Sequence, residues 1–186
     1  MDEIVINNFI IFFFSEMRAI KKQIENYRYV PFWKKCDPTI RNAKGYTSAM
    51  YWIKKVKTEP PEWMKHSPTL KSKYGYTLAM HWIKKVKTEP PEWMKHDPII
   101  LGRFGCTIAM FWVQYTNTEP PEWMKHDPTI RDGFGYTLAM KWVLFFRTEP
   151  PEWMRHSPRI RNGIGETLSS FWKIYVRTEI PKWMKL

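Results

Sequence analysis

The sequence predicts an all-α solenoid of five helix-turn-helix repeats preceded by an N-terminal helical cap. Three observations lead to this prediction. The chain repeats every 30 residues, glycine and tryptophan recur at fixed places in each period, and an apolar stripe with helical spacing follows each glycine. A unit this short cannot bury its apolar face alone, whereas stacked neighbours can. The five repeats are residues 37–66, 67–96, 97–126, 127–156 and 157–186.

The segment that precedes the repeats, residues 1–36, is predicted to be an N-terminal cap made of an apolar segment and a helix. Its acidic start, "MDE", differs from the basic start of a signal peptide, and its apolar run "FIIFFF" is far too short to cross a membrane. Cys36 and Cys106 occupy different positions of the repeat, so we expect two free thiols rather than a disulfide. These features favour a cytoplasmic, intracellular protein.

Each repeat is interpreted as a turn followed by two helices. In the first repeat Asp37 and Pro38 open the turn, and Gly45 supplies a backbone conformation that other residues resist. Thr47 is the expected N-cap of the first helix, because the apolar residues of the following "SAMYWIKKV" lie along one helical stripe.

The second helix is predicted from the phrase "TEPPEWMKH", which recurs with few changes. Pro61 suits the first turn of a helix, where a missing N–H costs nothing, and Glu62 complements the positive end of the helix dipole. Trp63 and its equivalents Trp93 and Trp123 are expected to be largely buried between repeats. We therefore interpret the phrase as scaffold, and look for function where the repeats differ.

The fourth repeat resembles the ankyrin repeat at "HDPTIRDGFGYTLAM", residues 126–140. Asp132, Gly135 and Thr137 match, in order, the D-x-x-G-x-T segment of the ankyrin pattern. The resemblance covers residues 37–186, although the family's Pro-Leu-His becomes Leu-Ala-Met and the unit is shorter than the usual length of about 33 residues. The resemblance implies a degenerate, tryptophan-rich ankyrin-like array that binds other proteins and is not an enzyme.

No catalytic or metal-binding constellation is predicted. His66, His96, His126 and His156 recur once per repeat, so stacking separates them, and we expect them to hydrogen-bond backbone rather than converge on a metal. His81 lies outside this series on a first helix, where we expect it to be exposed. The glutamates of the phrase recur at a helix start and are interpreted as capping residues. Because no catalytic or nucleotide-binding motif is present, we predict no catalytic, cofactor-binding or metal-binding residues.

The repeats differ chiefly at the turn tip and on the far side of the first helix, which in the ankyrin pattern form the concave binding face. We therefore predict that the partner-binding residues lie there. They are Lys44, Tyr46, Lys54, Lys55, Lys73, Tyr74, Tyr76, Lys84, Lys85, Arg103, Phe104, Tyr115, Phe134, Tyr136, Leu144, Phe145, Ile164, Ile174 and Tyr175.

These residues give the predicted face a basic end and an apolar end. The first two repeats carry 12 basic and 5 acidic residues, whereas the third and fourth carry 6 basic and 7 acidic residues. Leu144 and Phe145 occupy positions that hold Lys54 and Lys55 in the first repeat, so these positions face the surface rather than the core. The net charge of the whole chain, +12, favours an acidic partner.

Two functions fit these features. The first is a non-enzymatic protein-binding module whose apolar end anchors a partner and whose lysines steer an acidic patch of that partner. One setting for it is a viral or mobile-element effector that inhibits a host nucleic-acid-handling protein, alone or in a nucleoprotein complex, in the host-cell cytoplasm. The alternative is a nucleic-acid-binding repeat protein that follows phosphates with lysine and stacks bases on tyrosine. We expect no metal, no cofactor and no membrane partner.

Overall fold

The computed structural model of the chain describes residues 37–185. The chain divides into two compact units, of which the first ends at His66 and the second begins at Ser67. This division coincides with the predicted boundary between the first and second repeats. The predicted N-terminal cap, residues 1–36, lies outside the described residues.

Each repeat contributes one α-helix. Helix α1, Ser48–Val56, belongs to the first unit. The helices of the second unit are α2 (Leu78–Val86), α3 (Ile108–Tyr115), α4 (Leu138–Phe146) and α5 (Leu168–Phe171), the last continuing as a π-helix over Trp172–Val176. In this unit α2 packs on α3, α3 on α4 and α4 on α5. The described residues form two isolated β-bridges and no strand, so the predicted all-α class is confirmed.

The α-helices begin at the predicted threonines. The Thr107 side chain accepts a hydrogen bond from the backbone N–H of Met110, which satisfies a donor that α3 cannot pair internally. Helix α2 ends at Lys87, whose N–H donates to the Ile83 carbonyl oxygen and whose φ is 64°. This left-handed conformation closes the helix but strains a residue that carries a Cβ. Equivalent ends lie at Lys57, Arg147 and Arg177.

The recurring histidines hydrogen-bond the end of each of the first four repeats to the start of its own α-helix. His126 Nδ1 donates to the Asp127 carbonyl oxygen at 2.8 Å, so its Nε2 accepts from the Thr107 hydroxyl, also at 2.8 Å. The prediction that these histidines hydrogen-bond backbone is thus confirmed for His96, His126 and His156, and the same rings also hydrogen-bond the capping threonines. Burial lowers the pKa of His96 and the pKa of His156 below their ordinary value, so both rings are neutral at pH 7.

The phrase "PPEWM" forms a single 3₁₀ turn instead of the predicted second helix. In the third repeat this turn spans Glu122–Met124, and the backbone is extended again at Lys125. Pro120 and Pro121 contribute no N–H, and Pro128 holds Asp127 in an extended conformation. Only a few residues between these prolines are therefore free to form a helix. The predicted helix-turn-helix unit is therefore corrected to one α-helix followed by one 3₁₀ turn. Equivalent turns are Glu62–Met64, Glu92–Met94, Glu152–Met154 and Lys182–Met184.

The buried residue of this turn is methionine rather than tryptophan. Met94 and Met124 are 0% exposed, whereas Trp63 is 39% exposed and Trp93 and Trp123 are half-buried. The prediction that these tryptophans are largely buried is therefore wrong. A three-residue turn directs few side chains inward, and the flexible methionine fills the irregular space between repeats better than a rigid indole does.

The tryptophans of the second unit instead link consecutive repeats at the surface. Trp123 Nε1 donates to Glu89 Oε1 at 2.9 Å. Lys95 Nζ pairs with the same oxygen at 2.9 Å and lies 5.4 Å from the centroid of the Trp123 ring. The same donor and acceptor recur as Trp153 with Glu119 and as Trp183 with Glu149. The recurring phrase thus provides hydrogen bonds between neighbouring repeats.

Adjacent turns of the second unit stack so closely that the recurring glycine is required. Gly135 has a φ of 81°, which residues with a Cβ rarely adopt. A Cβ at this position would lie 2.5 Å from the backbone nitrogen of Gly163 in the next turn. A side chain here would therefore force the fourth and fifth turns apart.

Candidate partner-binding face

The predicted partner-binding residues of the second unit fall into two rows. The turn-tip row holds Tyr74, Phe104, Phe134 and Ile164, which are 43%, 56%, 56% and 76% exposed. The helix-end row lies near the C-terminal ends of successive helices. It consists of the pairs Lys84–Lys85, Gln114–Tyr115, Leu144–Phe145 and Ile174–Tyr175.

Hydrogen bonds between adjacent turns hold the turn-tip row in place. The Gly133 N–H donates to the Phe104 carbonyl oxygen at 2.7 Å, and the Gly163 N–H donates to the Phe134 carbonyl oxygen at 2.8 Å. The ring centroids of Phe104 and Phe134 are 5.7 Å apart, and the Arg103 guanidinium lies 4.4 Å from the Phe104 centroid. The row is therefore a preformed apolar ridge with a basic group at its edge.

The helix-end row changes from basic to apolar along the second unit. Its second-repeat members are lysines, whereas Phe145 is 45% exposed and Ile174 is 48% exposed. Leu144 and Tyr175 beside them are half-buried. Four large apolar side chains on two consecutive repeats thus remain partly open to solvent.

A first aromatic cluster, Tyr76–Phe111–Tyr115, lies beneath the lysine end of this row. Tyr76 meets Phe111 edge to face at 5.4 Å between centroids, and Phe111 stacks on Tyr115 at 5.9 Å. Lys84 Nζ lies 5.0 Å from the Tyr76 centroid and 5.4 Å from the Tyr115 centroid, and it donates to the Tyr76 hydroxyl at 3.4 Å. Arg103 Nη1 donates to the same hydroxyl at 3.2 Å. The cluster therefore already holds two cations.

These contacts correct the sequence-based view of two residues. Tyr76 is 7% exposed, so its ring belongs to the core and does not offer the predicted binding surface. Burial lowers the pKa of Lys84, but Tyr115 and Tyr76 more than offset this effect, and the pKa lies above its ordinary value. Lys84 is therefore cationic, with its charge engaged by two tyrosine rings rather than projecting into solvent.

A second aromatic cluster, Tyr136–Phe171–Tyr175, repeats this arrangement two repeats further along the chain. Tyr136 meets Phe171 edge to face at 5.5 Å, and Phe171 lies 5.5 Å from Tyr175. Phe171 is buried, whereas both tyrosines are half-buried. Sequence reasoning missed Phe171 and its equivalent Phe111, although the variation of their position among Tyr51, His81 and Lys141 in other repeats was a usable signal.

A buried ion pair fixes the turn that carries Phe134. Asp132 Oδ2 lies 2.8 Å from Lys141 Nζ, and its Oδ1 accepts from the backbone N–H groups of Phe134 and Tyr136 at 2.9 Å. The Cys106 thiol donates to Asp132 Oδ2 at 3.8 Å, and burial raises the pKa of this thiol. A buried, protonated thiol is a weak nucleophile, so we interpret Cys106 and the Asp132–Lys141 ion pair as structural.

The predicted residues of the first repeat lie in the first unit. Lys44 and Lys55 are exposed, and Tyr46 and Lys54 are half-buried. Lys54 Nζ lies 4.8 Å from the Tyr46 ring centroid, and Lys55 Nζ lies 5.6 Å from that of Tyr51. The lysines of α1 therefore rest on tyrosine faces, as Lys84 does on α2.

Two further expectations concern isolated residues. His81 is 4% exposed and its ring lies 5.2 Å from that of Tyr76, so the prediction that it is exposed is wrong. Cys106 is a free thiol, whereas Cys36 lies outside the described residues.

Over residues 37–185 no group of three or more histidine, cysteine, aspartate or glutamate side chains could hold a metal ion. Within the same range, no helix has the length and apolar character needed to cross a membrane.

Comparison with protein-family models, with curated proteins and with solved structures finds no match to this chain.

Proposed function

We propose that the chain is a non-enzymatic protein-binding module, an ankyrin-like repeat array whose variable face grips a partner with an acidic patch. One observation carries this proposal, the exposed apolar surface of the second unit. Phe104, Phe134 and Ile164 are 56%, 56% and 76% exposed, and Phe145 and Ile174 are 45% and 48% exposed. Large apolar side chains exposed on neighbouring repeats are typical of a surface that a partner covers.

The free energy gained by burying these exposed apolar side chains is large enough to anchor a partner. Full burial of a phenylalanine or isoleucine side chain contributes about 1.5–3 kcal/mol, so covering the exposed part of these five side chains contributes roughly 4–8 kcal/mol. Association costs several kcal/mol in lost freedom of motion, so these anchors alone give weak binding. Additional polar contacts are therefore part of the proposal.

The lysines of the second repeat supply those contacts. Lys73 is exposed and Lys85 is half-buried, and within residues 67–185 neither belongs to an ion pair. Both are available to an acidic group of the partner, whose approach they accelerate through the long range of the charge interaction.

Direct nucleic-acid binding is the less favoured alternative. Base stacking needs an open aromatic face beside the phosphate-binding lysines. Tyr76 is buried, and Lys54 Nζ lies over the ring of Tyr46. Tyr46 and Tyr76 therefore have their faces occupied by the chain itself, and of the three tyrosines beside these lysines only Tyr74 is exposed, at 43%. One exposed tyrosine gives little surface for stacking successive bases.

The proposal is tested by selecting ligands for the immobilised full-length chain from a random peptide library. We expect the selected peptides to combine apolar with acidic residues, and their affinity, measured by calorimetry, to fall at least tenfold on changing Phe145 and Ile174 to alanine. The control Glu152→Gln, in the 3₁₀ turn of the fourth repeat, leaves affinity unchanged. A single-stranded oligonucleotide that binds more tightly at physiological salt, and equally well to the double variant, would reject the proposal.

A further inference from the structure

We infer that the second aromatic cluster, Tyr136–Phe171–Tyr175, binds the guanidinium group of an arginine that the partner protein supplies. This inference rests on the proposed protein-binding function and adds the chemistry of one contact. The two aromatic clusters of the second unit share their residue types and an edge-to-face contact between the first tyrosine and the phenylalanine, but they differ in the cations that lie on them.

The first cluster shows what the arrangement accepts. Lys84 Nζ lies 5.0 Å and 5.4 Å from the centroids of Tyr76 and Tyr115. The Tyr76 hydroxyl accepts hydrogen bonds from Lys84 at 3.4 Å and from Arg103 Nη1 at 3.2 Å. A pair of tyrosines held by one buried phenylalanine thus provides two ring faces and a hydroxyl acceptor for cations.

The second cluster keeps the rings and loses both cations. Leu144 occupies the position of Lys84, and Gly163 occupies the position of Arg103. Within residues 67–185 the Tyr136 hydroxyl makes no hydrogen bond, although its equivalent in the first cluster accepts two. The second cluster therefore has a hydroxyl acceptor and ring faces, but it has no equivalent of Lys84 or Arg103 to occupy them.

Lys141 does not take over this role. Its Nζ lies 5.8 Å from the Tyr136 centroid, but it is held 2.8 Å from the buried carboxylate of Asp132, and its side chain is only 12% exposed. Its charge is thus compensated within the fold.

The surroundings suit an arginine side chain. Leu144 is half-buried and Ile174 is exposed, so both can contact the aliphatic part of an incoming side chain. Gly163 brings no side chain to the place from which Arg103 reaches Tyr76. A planar guanidinium both stacks on a ring and donates to a hydroxyl, which an ammonium group combines less well.

The charge of the neighbourhood limits the ligand to a single cation. Lys173 and Arg177 are exposed within and at the end of the π-helix that carries Tyr175. These two cations repel a polybasic segment, whereas one arginine among neutral or acidic neighbours remains acceptable.

The probe for this site is the capped pentapeptide Gly-Gly-Arg-Gly-Gly, compared with the same peptide carrying neutral, nearly isosteric citrulline. Binding to the full chain is followed by NMR of ¹³C-labelled tyrosine rings. We expect the resonances of Tyr136 and Tyr175 to shift saturably with the arginine peptide, at the weak affinity of a single cation–π contact. Citrulline should bind at least fivefold more weakly, and lysine should fall between the two.

Two reciprocal variants make the test specific. Leu144→Lys restores the resident cation and should weaken peptide binding at least fivefold, whereas Glu152→Gln, in the 3₁₀ turn of the same repeat, changes the net charge by the same amount and should alter binding less than twofold. Conversely, Lys84→Leu combined with Arg103→Gly empties the first cluster, so Tyr76 and Tyr115 should begin to respond. Circular dichroism verifies folding, and if Leu144→Lys does not fold, the double variant decides the question.

Equal binding of arginine and citrulline, unaltered binding by Leu144→Lys, or a silent first cluster in the folded double variant would each overturn the inference. Any of these results, with selected library peptides still bound by the same protein, would remove this contact and leave the protein-binding function standing. Loss of the arginine response together with loss of library-peptide binding would reject the protein-binding function as well.

Discussion

The methionine of the recurring phrase should determine the stability of the repeat stack. Met124 is 0% exposed and belongs to the third repeat, in the interior of the second unit. Met124→Ala removes buried thioether and methylene atoms and leaves a cavity, a change that costs about 2–5 kcal/mol in protein cores. Because packed repeats surround this site and collapse into the cavity only in part, we expect a cost of about 3–4 kcal/mol.

Trp123 provides the matched comparison, because it is adjacent in the chain but half-buried at the surface. Trp123→Ala removes the 2.9 Å hydrogen bond to Glu89 and the contact with Lys95 Nζ, 5.4 Å from the ring centroid. Such solvent-exposed contacts contribute about 1 kcal/mol or less each, and the covered part of the ring adds a similar amount. The expected cost is therefore about 1–2 kcal/mol.

Urea unfolding followed by circular dichroism measures both free energies. The slopes of the transitions must agree between variants, because a repeat array with one weakened interface can unfold in parts. A larger loss for Trp123→Ala than for Met124→Ala would show that the indole, rather than the thioether, holds the repeats together, and would refute the packing described here.

Three further predictions concern the scaffold. Lys87→Gly should raise stability by up to about 1 kcal/mol in thermal unfolding, because it relieves the φ of 64° at the end of α2, whereas Lys85→Gly within the same helix should lower it by a similar amount. Thr107→Val should cost about 1–2 kcal/mol in urea, because α3 loses its N-cap. Burial lowers the pKa of His96 and the pKa of His156, so below pH of about 6.5 the unfolded chain binds more protons than the folded one. The free energy of unfolding should therefore be highest above that pH and decline as the pH falls, and glutamine at both positions should flatten the profile.

The α-helices were predictable because their signals are local. A capping threonine, an apolar stripe and a fixed period lie within a few residues of one another, and helices α1–α4 begin where these signals place them. The second helix of each repeat was not predictable from the same signals. Proline at the first turn permits a helix but does not set its length, and the return of each histidine to its threonine is a contact across 19 residues.

The exposed residues of the predicted face could be identified from the differences between repeats, as Phe104, Phe134 and Phe145 show. The burial of Tyr76 and the tyrosine contacts of Lys84 were not predictable, because their surroundings come from the next repeat. Arg103 reaches the Tyr76 hydroxyl across 27 positions of sequence, and no pattern within one repeat reveals such a contact. Variation identifies a surface position only when the neighbouring repeat leaves that position open.

In the proposed function, apolar residues of the fourth and fifth repeats hold the partner, and lysines of the second repeat guide its approach. The most direct measurement is the dissociation rate of a library-selected peptide from the immobilised full-length chain. Changing Phe145 and Ile174 to alanine should speed dissociation at least tenfold, because apolar anchors act on the dissociation step. Changing Lys73 and Lys85 to glutamate should mainly slow association, and added salt should reduce that difference. The opposite pattern, with dissociation governed by the lysines and unaffected at Phe145 and Ile174, would contradict the account.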